Sequence, residues 1–548
     1  MSKYVIGIDY GTLSARALLI ELQSGAEIAE AEYTYPHAIL QDSDFAGVRL
    51  SRDAALQHPR DYLDALRTTF SQVLHRSGVD PADIIGVGVD FTAATVLPVT
   101  EDGTPLCFLP QFQNEPHAYA KLWKHHGAQW EADRMTHVAQ DRGEAWLSQY
   151  GGKVSSEWML PKVYETLRKA PQVYHSAARY IEAGDWLVWK LTGKECRSSC
   201  MAGFKVLWSK ETGYPSREYL EAVDPGLADL IGTKIPVEVS PTGTKAGSIS
   251  PEGAGLTGLC VGTAVTVPIV DGHAGIPGAG MVDPGQMMLI LGTSSAHFVL
   301  DEERRDIPGI CGCVADGVIP GFYAYEAGQS CVGDGFGWFI ENCVPEKYAR
   351  EARTRNTDIF TLLNEKAAEL EIGKSGIVAL DWWNGNRSPL ADYDLSGLIL
   401  GLTLKTRPEE IYRAFIEATA FGTKAIVDRY LEGGIQIHEI RAAGGISRKN
   451  PFLMQLYADV LGMPIRVCTS TQATAKGIAV FAAVASGYYD NVRDAAAVIS
   501  DKCSVCYTPN PNNTAKYWPL YREYQELSQY FGKETTMMKR LKKHCATK

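Results

Sequence analysis

The chain has no apolar run near the ~20 residues that a membrane-crossing helix needs. Its opening residues, MSKYVIGIDYG, pass straight into a strand-like pattern, without the apolar stretch and small-residue cleavage site of a secretory signal. A cytoplasmic location is therefore the expectation, and the 12 cysteines read as reduced thiols. Positive charge is in deficit: 53 Lys and Arg against 64 Asp and Glu leave a net charge of −11, with no basic block. That argues against nucleic acid or an anionic membrane as partner. Complete zinc motifs are missing as well. Cys311-x-Cys313 and Cys503-x-x-Cys506 each resemble half of a metal or redox site, but neither has a second pair at the usual spacing, so both read as coincidence.

The common nucleotide signatures also fail. Gly373-Lys374-Ser375 ends like a phosphate loop, but Ala368 stands where its first glycine belongs. Gly86-x-Gly88 follows a strand pattern, yet Phe91 occupies the third glycine position of a dinucleotide fingerprint. Any nucleotide must be held another way.

What is present describes an ordinary folded protein. Its 548 residues, 45% hydrophobic and 21% charged, exceed what one core usually supports, so two or more domains are expected. Residues 4–21 alternate around a Gly-Thr pair and predict a β-hairpin. Helical spacing follows at 59–74, and the apolar run 84–89 predicts a buried strand. Helices are expected to fill residues 118–191. Pro, Gly, Ser and Thr crowd residues 241–262, which suggests an inter-domain stretch. The run 265–270 reads as a strand, although Pro268 weighs against a central one. Residues 440–445 lead through Gly444-Gly445 into an amphipathic helix near 451–461. That turn is either a phosphate platform or an ordinary strand-to-helix connection. Small residues at helical spacing over 473–485 predict a close-packed buried helix, and residues 514–548 predict terminal helices with a basic, solvated tail.

The second half repeats the first. Ile8-Asp-Tyr-Gly-Thr-Leu-Ser14 aligns with Leu289-Ile-Leu-Gly-Thr-Ser-Ser295, with Gly, Thr and Ser in register. Similarity at domain-sized spacing suggests a duplicated fold with a cleft between the copies. A Gly-Thr hairpin aims backbone N–H groups and a hydroxyl at a phosphate. Asp9 beside the first turn suits Mg²⁺, which prefers oxygen ligands and keeps several waters. Arg16 could neutralise the transferring phosphoryl group. Asp271 follows an apolar run and precedes Gly272-His273-Ala274-Gly275, where small residues leave room for a substrate. A carboxylate there can take a hydroxyl proton as the oxygen attacks phosphorus, or it can be a helix N-cap. His273 reads as structural.

At these residues the chain resembles the FGGY carbohydrate kinases. The markers are IDYGT at 8–12, SSEWMLPKVYE at 155–165, DGHAG at 271–275, LGTS at 291–294, the run 397–422 and AAGGISRKNPFLMQLYADVLGMPI at 442–465. The resemblance spans residues 4–487. It implies an α/β fold of two duplicated actin-like (ribonuclease H-like) domains around a central cleft. Residues 1–262 would form an N-terminal domain that binds mainly sugar and carries the first hairpin. Residues 263–548 would form a C-terminal domain that binds mainly ATP and ends in a helical tail.

Roles follow at the matching positions. Asp271 would be the general base and Asp9 would organise Mg²⁺. Thr12, Ser14, Arg16, Gly292 and Thr293 would surround the ATP phosphates, with Gly333, Gly444, Gly445, Lys449 and Asn450 lining the nucleotide. Leu13 departs from the second hydroxyl of glycerol kinases. The loop after the strand ending at Asp90 would reach the sugar. Thr92-Ala93 replaces an Arg-Glu pair there and suits a five-carbon ketose, with Ala93, Lys205 and Glu326 as sugar contacts. HPRDY at 58–62, GVDFTAAT at 88–95, YGGKVSSEW at 150–158, GFKVLW at 203–208, GFYAYEAGQS at 321–330 and DWWNGNR at 381–387 narrow the implied sugar to L-ribulose, in L-arabinose breakdown. The resemblance allows a homodimer. Alternatives are a kinase of ribitol, xylulose or a related polyol, an actin-like ATPase switch and a silent sugar-binding regulator.

Overall fold

Strand β1 (Tyr4–Tyr10) turns at Gly11, whose N–H donates to the Ser14 carbonyl at 2.9 Å, and returns as β2 (Ser14–Glu21), followed by β3 (Glu27–Thr34). This is the predicted hairpin in a computed structural model that describes residues 2–546. The helix expected at 59–74 runs over Pro59–Ser77, started by His58 and Pro59 and ended by Gly78. The buried strand is β4 (Ile84–Phe91), parallel to β1.

The stretch 241–262 is not an inter-domain linker. It contains β5 (Lys245–Ser248) and a helix at Pro251–Thr257, and β5 pairs with β6 (Ala264–Thr266) at the edge of the first sheet. Pro268 breaks the next strand rather than abolishing it: β6 and β7 (Ile269–Val270) both run parallel to β4. The sheet order is β5-β6-β4-β1-β2-β3, with β7 also on β4. Pro, Gly, Ser and Thr suit a short edge strand as well as a linker, and here the strands on either side of 262/263 pair with each other.

Strands β8 (Gly285–Leu291) and β9 (Ser295–Asp301) repeat the opening hairpin, with the Gly292 N–H donating to the Ser294 carbonyl at 2.9 Å. With β10 (Gly312–Ala315), β11 (Tyr323–Gln329), β12 (Ile437–Ala443), β13 (Ile465–Val467) and β14 (Val505–Tyr507) they form a sheet ordered β10-β11-β9-β8-β12-β13-β14. In both sheets an antiparallel hairpin joins a parallel strand, β4 beside β1 and β12 beside β8. This is the duplication that the repeated Gly-Thr motif announced.

Four helices bear on the site: α1 (Ser199–Lys205), α2 (Asp271–Gly278), α3 (Gly333–Cys343) and α4 (Ala473–Ala485). Helix α4 is the buried small-residue helix, but it packs on the first sheet. A Cβ on Gly7 or Gly88 would stand 2.1 Å from the Ala475 carbonyl oxygen or 2.6 Å from that of Ile478. The broken dinucleotide motif is thus a helix-packing surface. Helices α2 and α4 cross at backbone contact, where a Cβ on Gly477 would lie 1.7 Å from the Ala274 carbonyl oxygen. One core unites the first sheet with α2 and α4, and a second covers the other sheet.

The region 118–191 is mostly helical, but Ala120–Lys121 and Arg179–Glu182 are strands. They join Leu56–Gln57 and Val96–Val99 in a small sheet behind the loop at Thr92. The last described residues form helices Pro511–Gln529 and Met537–Ala546, as predicted, and residues 547–548 of the expected tail lie outside the described residues. Among the described residues no helix is long and apolar enough to cross a membrane.

Candidate active site

Parallel strands deliver their C-terminal ends to one place. Asp9 on β1 lies opposite Asp90 on β4, and Ile269 on β7 is also in register with Asp90. Asp271, two residues on, therefore opens α2 beside this pair. It is the first residue of the helix, and Val270 takes the cap position, so the N-cap reading of Asp271 does not apply. Its Oδ1 accepts from the Gly272 N–H at 2.6 Å. Burial, helped by the repelling charge of Asp9, pushes the Asp271 carboxyl up to about 7. That is where a general base works best at neutral pH.

Asp90 was not singled out as a site residue. It is fully buried, and neither carboxylate oxygen has a partner among the described side chains. Burial first, then Asp9 and Asp271, push its pKa well above the usual carboxylate range. Asp9 itself accepts from the Thr474 hydroxyl at 2.7 Å, which ties β1 to the start of α4. The donors gathered here are carboxylate and hydroxyl oxygens, a set that fits Mg²⁺.

A second cluster bridges the halves. Lys205, the last residue of α1, lies 3.2 Å from Glu326 Oε2 on β11, and Arg387 reaches Glu326 Oε1 at 2.5 Å. Burial would raise the Glu326 pKa, but Lys205 and Arg387 outweigh it and hold the carboxylate well below its usual range. His273 stacks on Phe204 with ring centroids 4.4 Å apart and lies 3.5 Å from Glu326 Oε2. Burial lowers its pKa, so a neutral imidazole packs here, in keeping with a structural role. Arg387 escaped individual notice, although it ends the stretch 381–387 that the resemblance had marked.

Ala93 sits half-buried in the loop after β4. That loop is pinned by a contact of 2.8 Å between the Thr92 and Thr95 hydroxyls, and by Lys162, whose ammonium donates to the Ala94 carbonyl at 2.7 Å. The same ammonium donates to the Leu122 carbonyl at 2.6 Å. The next residue, Trp123, donates from its indole to the Thr12 hydroxyl at 3.1 Å. Loop and first hairpin are thus linked through one buried lysine, which lies in the marked stretch 155–165 but whose partners no local pattern announced.

At the first hairpin Leu13 is exposed at the tip, while Ser14 and Arg16 both bind Glu32 Oε1, at 2.9 and 3.0 Å. Hydrogen bonding to Glu32 raises the Arg16 pKa further. Arg16 therefore exchanges a carboxylate partner if it meets a phosphate. At the second hairpin the Gly333 N–H, opening α3, donates to the Gly292 carbonyl at 3.0 Å, and the Val332 N–H donates to the Thr293 carbonyl at 2.8 Å. Gly444 has φ +103°, and a Cβ there would lie 2.2 Å from the Leu291 carbonyl oxygen. Gly292, Thr293, Gly333 and Gly444 thus converge. Gly445 and Lys449 are exposed on the short helix Gly445–Lys449. Asn450 is spent on structure: its Oδ1 caps the next helix at the Leu453 N–H and its Nδ2 donates to Asn364.

Residues 4–278 match the N-terminal domain, and residues 287–486 the C-terminal domain, of the FGGY family of carbohydrate kinases. The ribulokinase of Bacillus licheniformis is 48% identical over 536 residues, 97% of each chain. That of Mycolicibacterium smegmatis is 45% identical, covering 98% of this chain and 96% of its own. Among solved structures, ligand-bound xylulose kinase from Lactobacillus acidophilus superposes with a TM-score of 0.78 at 19% identity, over 97% of this chain and 99% of that one. Plasmodium falciparum glycerol kinase with ADP gives 0.75 at 16%, over 96% and 98%. These two show the fold.

Proposed function

The chain belongs to the FGGY family of carbohydrate kinases, and on that premise we propose that it transfers the γ-phosphoryl group of ATP to the 5-hydroxyl of L-ribulose. The products are ADP and L-ribulose 5-phosphate, a step of L-arabinose breakdown. The reading rests on near-full-length identity of 46–48% to five ribulokinases together with the placement of one carboxylate. Asp271, tuned to about 7, stands beside Asp9 at the base of the first hairpin and within the field of Lys205, which binds Glu326.

The Asp271 carboxylate takes the proton of the 5-hydroxyl as that oxygen forms its bond to the γ-phosphorus. The bond from phosphorus to the β,γ-bridging oxygen breaks, and ADP leaves. Charge that spreads over the phosphoryl oxygens meets the N–H groups of both hairpins and the Arg16 guanidinium. Asp9, with Asp90 behind it, would hold Mg²⁺, which neutralises the β- and γ-phosphates when bound. Lys205 and Glu326 orient the sugar hydroxyls, and Ala93 leaves room for the ketose. Such polar contacts reject analogues that lack a hydroxyl, because the site's own groups would be left unpaired.

The sugar lies mainly on the first sheet and its loops, and ATP mainly between the second hairpin, Gly333 and Gly444. The division between the two units then falls between residues 278 and 287, where the two family matches part. Closure over both substrates excludes water from the phosphoryl group.

A coupled assay of ADP release against L-ribulose, D-ribulose, D-xylulose, ribitol and glycerol tests the reading. The highest kcat/KM is expected with L-ribulose. A clear preference for ribitol or D-xylulose would move the protein to another member function of the family.

A further inference from the structure

The C-x-x-C spacing at Cys503 and Cys506 misdirects. Cys506 is exposed on β14, whereas Cys503 is buried against Cys468, 35 residues earlier in the chain. The two lie at the ends of neighbouring strands: β13 and β14 are antiparallel with Val467 opposite Val505. The sulfurs of Cys468 and Cys503 and a carboxylate oxygen of Asp501 all lie within 4.8 Å of one another, and all three residues are buried.

The backbone is bent to make this happen. Cys503 has φ +44°, a left-handed conformation that costs a non-glycine residue on the order of 1 kcal/mol or more. Asp501 holds it there, its Oδ1 accepting from the Cys503 N–H at 2.6 Å and its Oδ2 from the Ser470 N–H at 2.5 Å. The turn is fastened to the C-terminal end of α2, the helix that Asp271 opens. The Asp501 N–H donates to the Gly278 carbonyl at 2.8 Å, and the Ser500 hydroxyl to that of Pro277 at 2.6 Å. The Ala279 carbonyl oxygen lies 3.6 Å from Cys503 Sγ and also accepts from Arg441 at 2.5 Å, which brings a fixed positive charge alongside.

Two sulfurs and one carboxylate oxygen at ligand spacing, with a cation beside them, suit a metal that prefers thiolate and four-coordinate geometry. We infer that Cys468, Asp501 and Cys503 form a binding site for a thiophilic divalent cation, Zn²⁺ by its ligand preference. Binding releases both thiol protons, so one Zn²⁺ plus two thiols and one carboxylate gives a complex of charge −1 and two H⁺. Arg441 offsets that charge. The fourth position falls to the Ala279 carbonyl or to water. The metal then acts as a clip: it ties the connection entering α4 to the turn under α2, the two helices that cross at Gly477 and Gly278. The opposing account treats the pair as small apolar side chains that bind nothing.

Zinc alone is the probe. Protein purified under reducing conditions, stripped with a chelator and dialysed against Zn²⁺ is expected to retain one equivalent per chain, to release two protons per zinc and to show a raised Tm. Co²⁺ in its place should give the intense near-ultraviolet absorption of cobalt–thiolate bonds. Cys468→Ser and Cys503→Ser should each weaken binding at least tenfold, and Cys506→Ser should leave it unchanged. Retention by the parent of less than a tenth of an equivalent would overturn the inference without any variant having to fold. So would undiminished zinc in the folded Cys468→Ser/Cys503→Ser double variant, or a cobalt complex lacking thiolate absorption.

Discussion

A carboxylate that must accept a proton at neutral pH works best with its own pKa near 7, and Asp271 reaches about that value through burial and the charge of Asp9. The base must be ionised, so kcat/KM for the sugar should fall about tenfold per pH unit below that pKa. A pH–rate profile flat down to pH 5 would remove Asp271 from the role. Asp271→Asn should lower kcat by roughly 10³-fold or more while ATP binding, read by calorimetry, stays within a factor of a few. The same shift has a sign in stability. A carboxyl raised in the folded state costs nothing below its unfolded value of about 4 and destabilises fully above its folded value. Asp271→Asn should therefore melt higher than the parent at pH 8, with the gap closing toward pH 4. Glu326 is tuned the opposite way, held ionised by Lys205 and Arg387. Glu326→Gln leaves two cations without their shared partner, and sugar kcat/KM should drop about 10²-fold, chiefly through KM. The stretches that hold Asp271, Lys205, Glu326, Asp90 and Lys162 could all be quoted from the sequence. What Asp90, Lys162 and Trp123 touch could not, because those contacts join segments far apart in the chain.

The elements split along the same line. Both Gly-Thr hairpins could be read directly, since a tight turn between alternating strands is fixed by neighbouring residues. The strands β5 and β6 within and after the stretch 241–262 could not, because they are defined by pairing with each other and with β4 elsewhere in the sheet. The buried helix α4 was predicted, yet its seat on the first sheet was hidden: glycines at 7 and 88 reveal it only once strand and helix face each other. Two substitutions test these contacts. Gly477→Ala puts a methyl 1.7 Å from the Ala274 carbonyl oxygen, and should destabilise the fold by roughly 3 kcal/mol or more, read from urea midpoints. Gly444→Ala meets both a positive φ and the Leu291 carbonyl, and should weaken binding of a non-hydrolysable ATP analogue about tenfold or more. Unchanged nucleotide affinity in that variant would detach Gly444 from the site.

For the whole molecule, one core joins residues of both sheets with those of α2 and α4, and the Lys205–Glu326 bridge spans the halves near the Asp271 carboxyl. A nucleotide switch needs the hairpins and the crossing helices, but it has no use for a carboxyl tuned to about 7 beside the Lys205–Glu326 bridge. The distinction is whether phosphate goes to sugar or to water. ³¹P NMR of the protein with Mg²⁺, ATP and L-ribulose reads that directly. A phosphomonoester signal growing one-for-one with ADP, and almost no ATP consumed when sugar is withheld, is the predicted result. Inorganic phosphate appearing at a similar rate with and without L-ribulose would contradict the account.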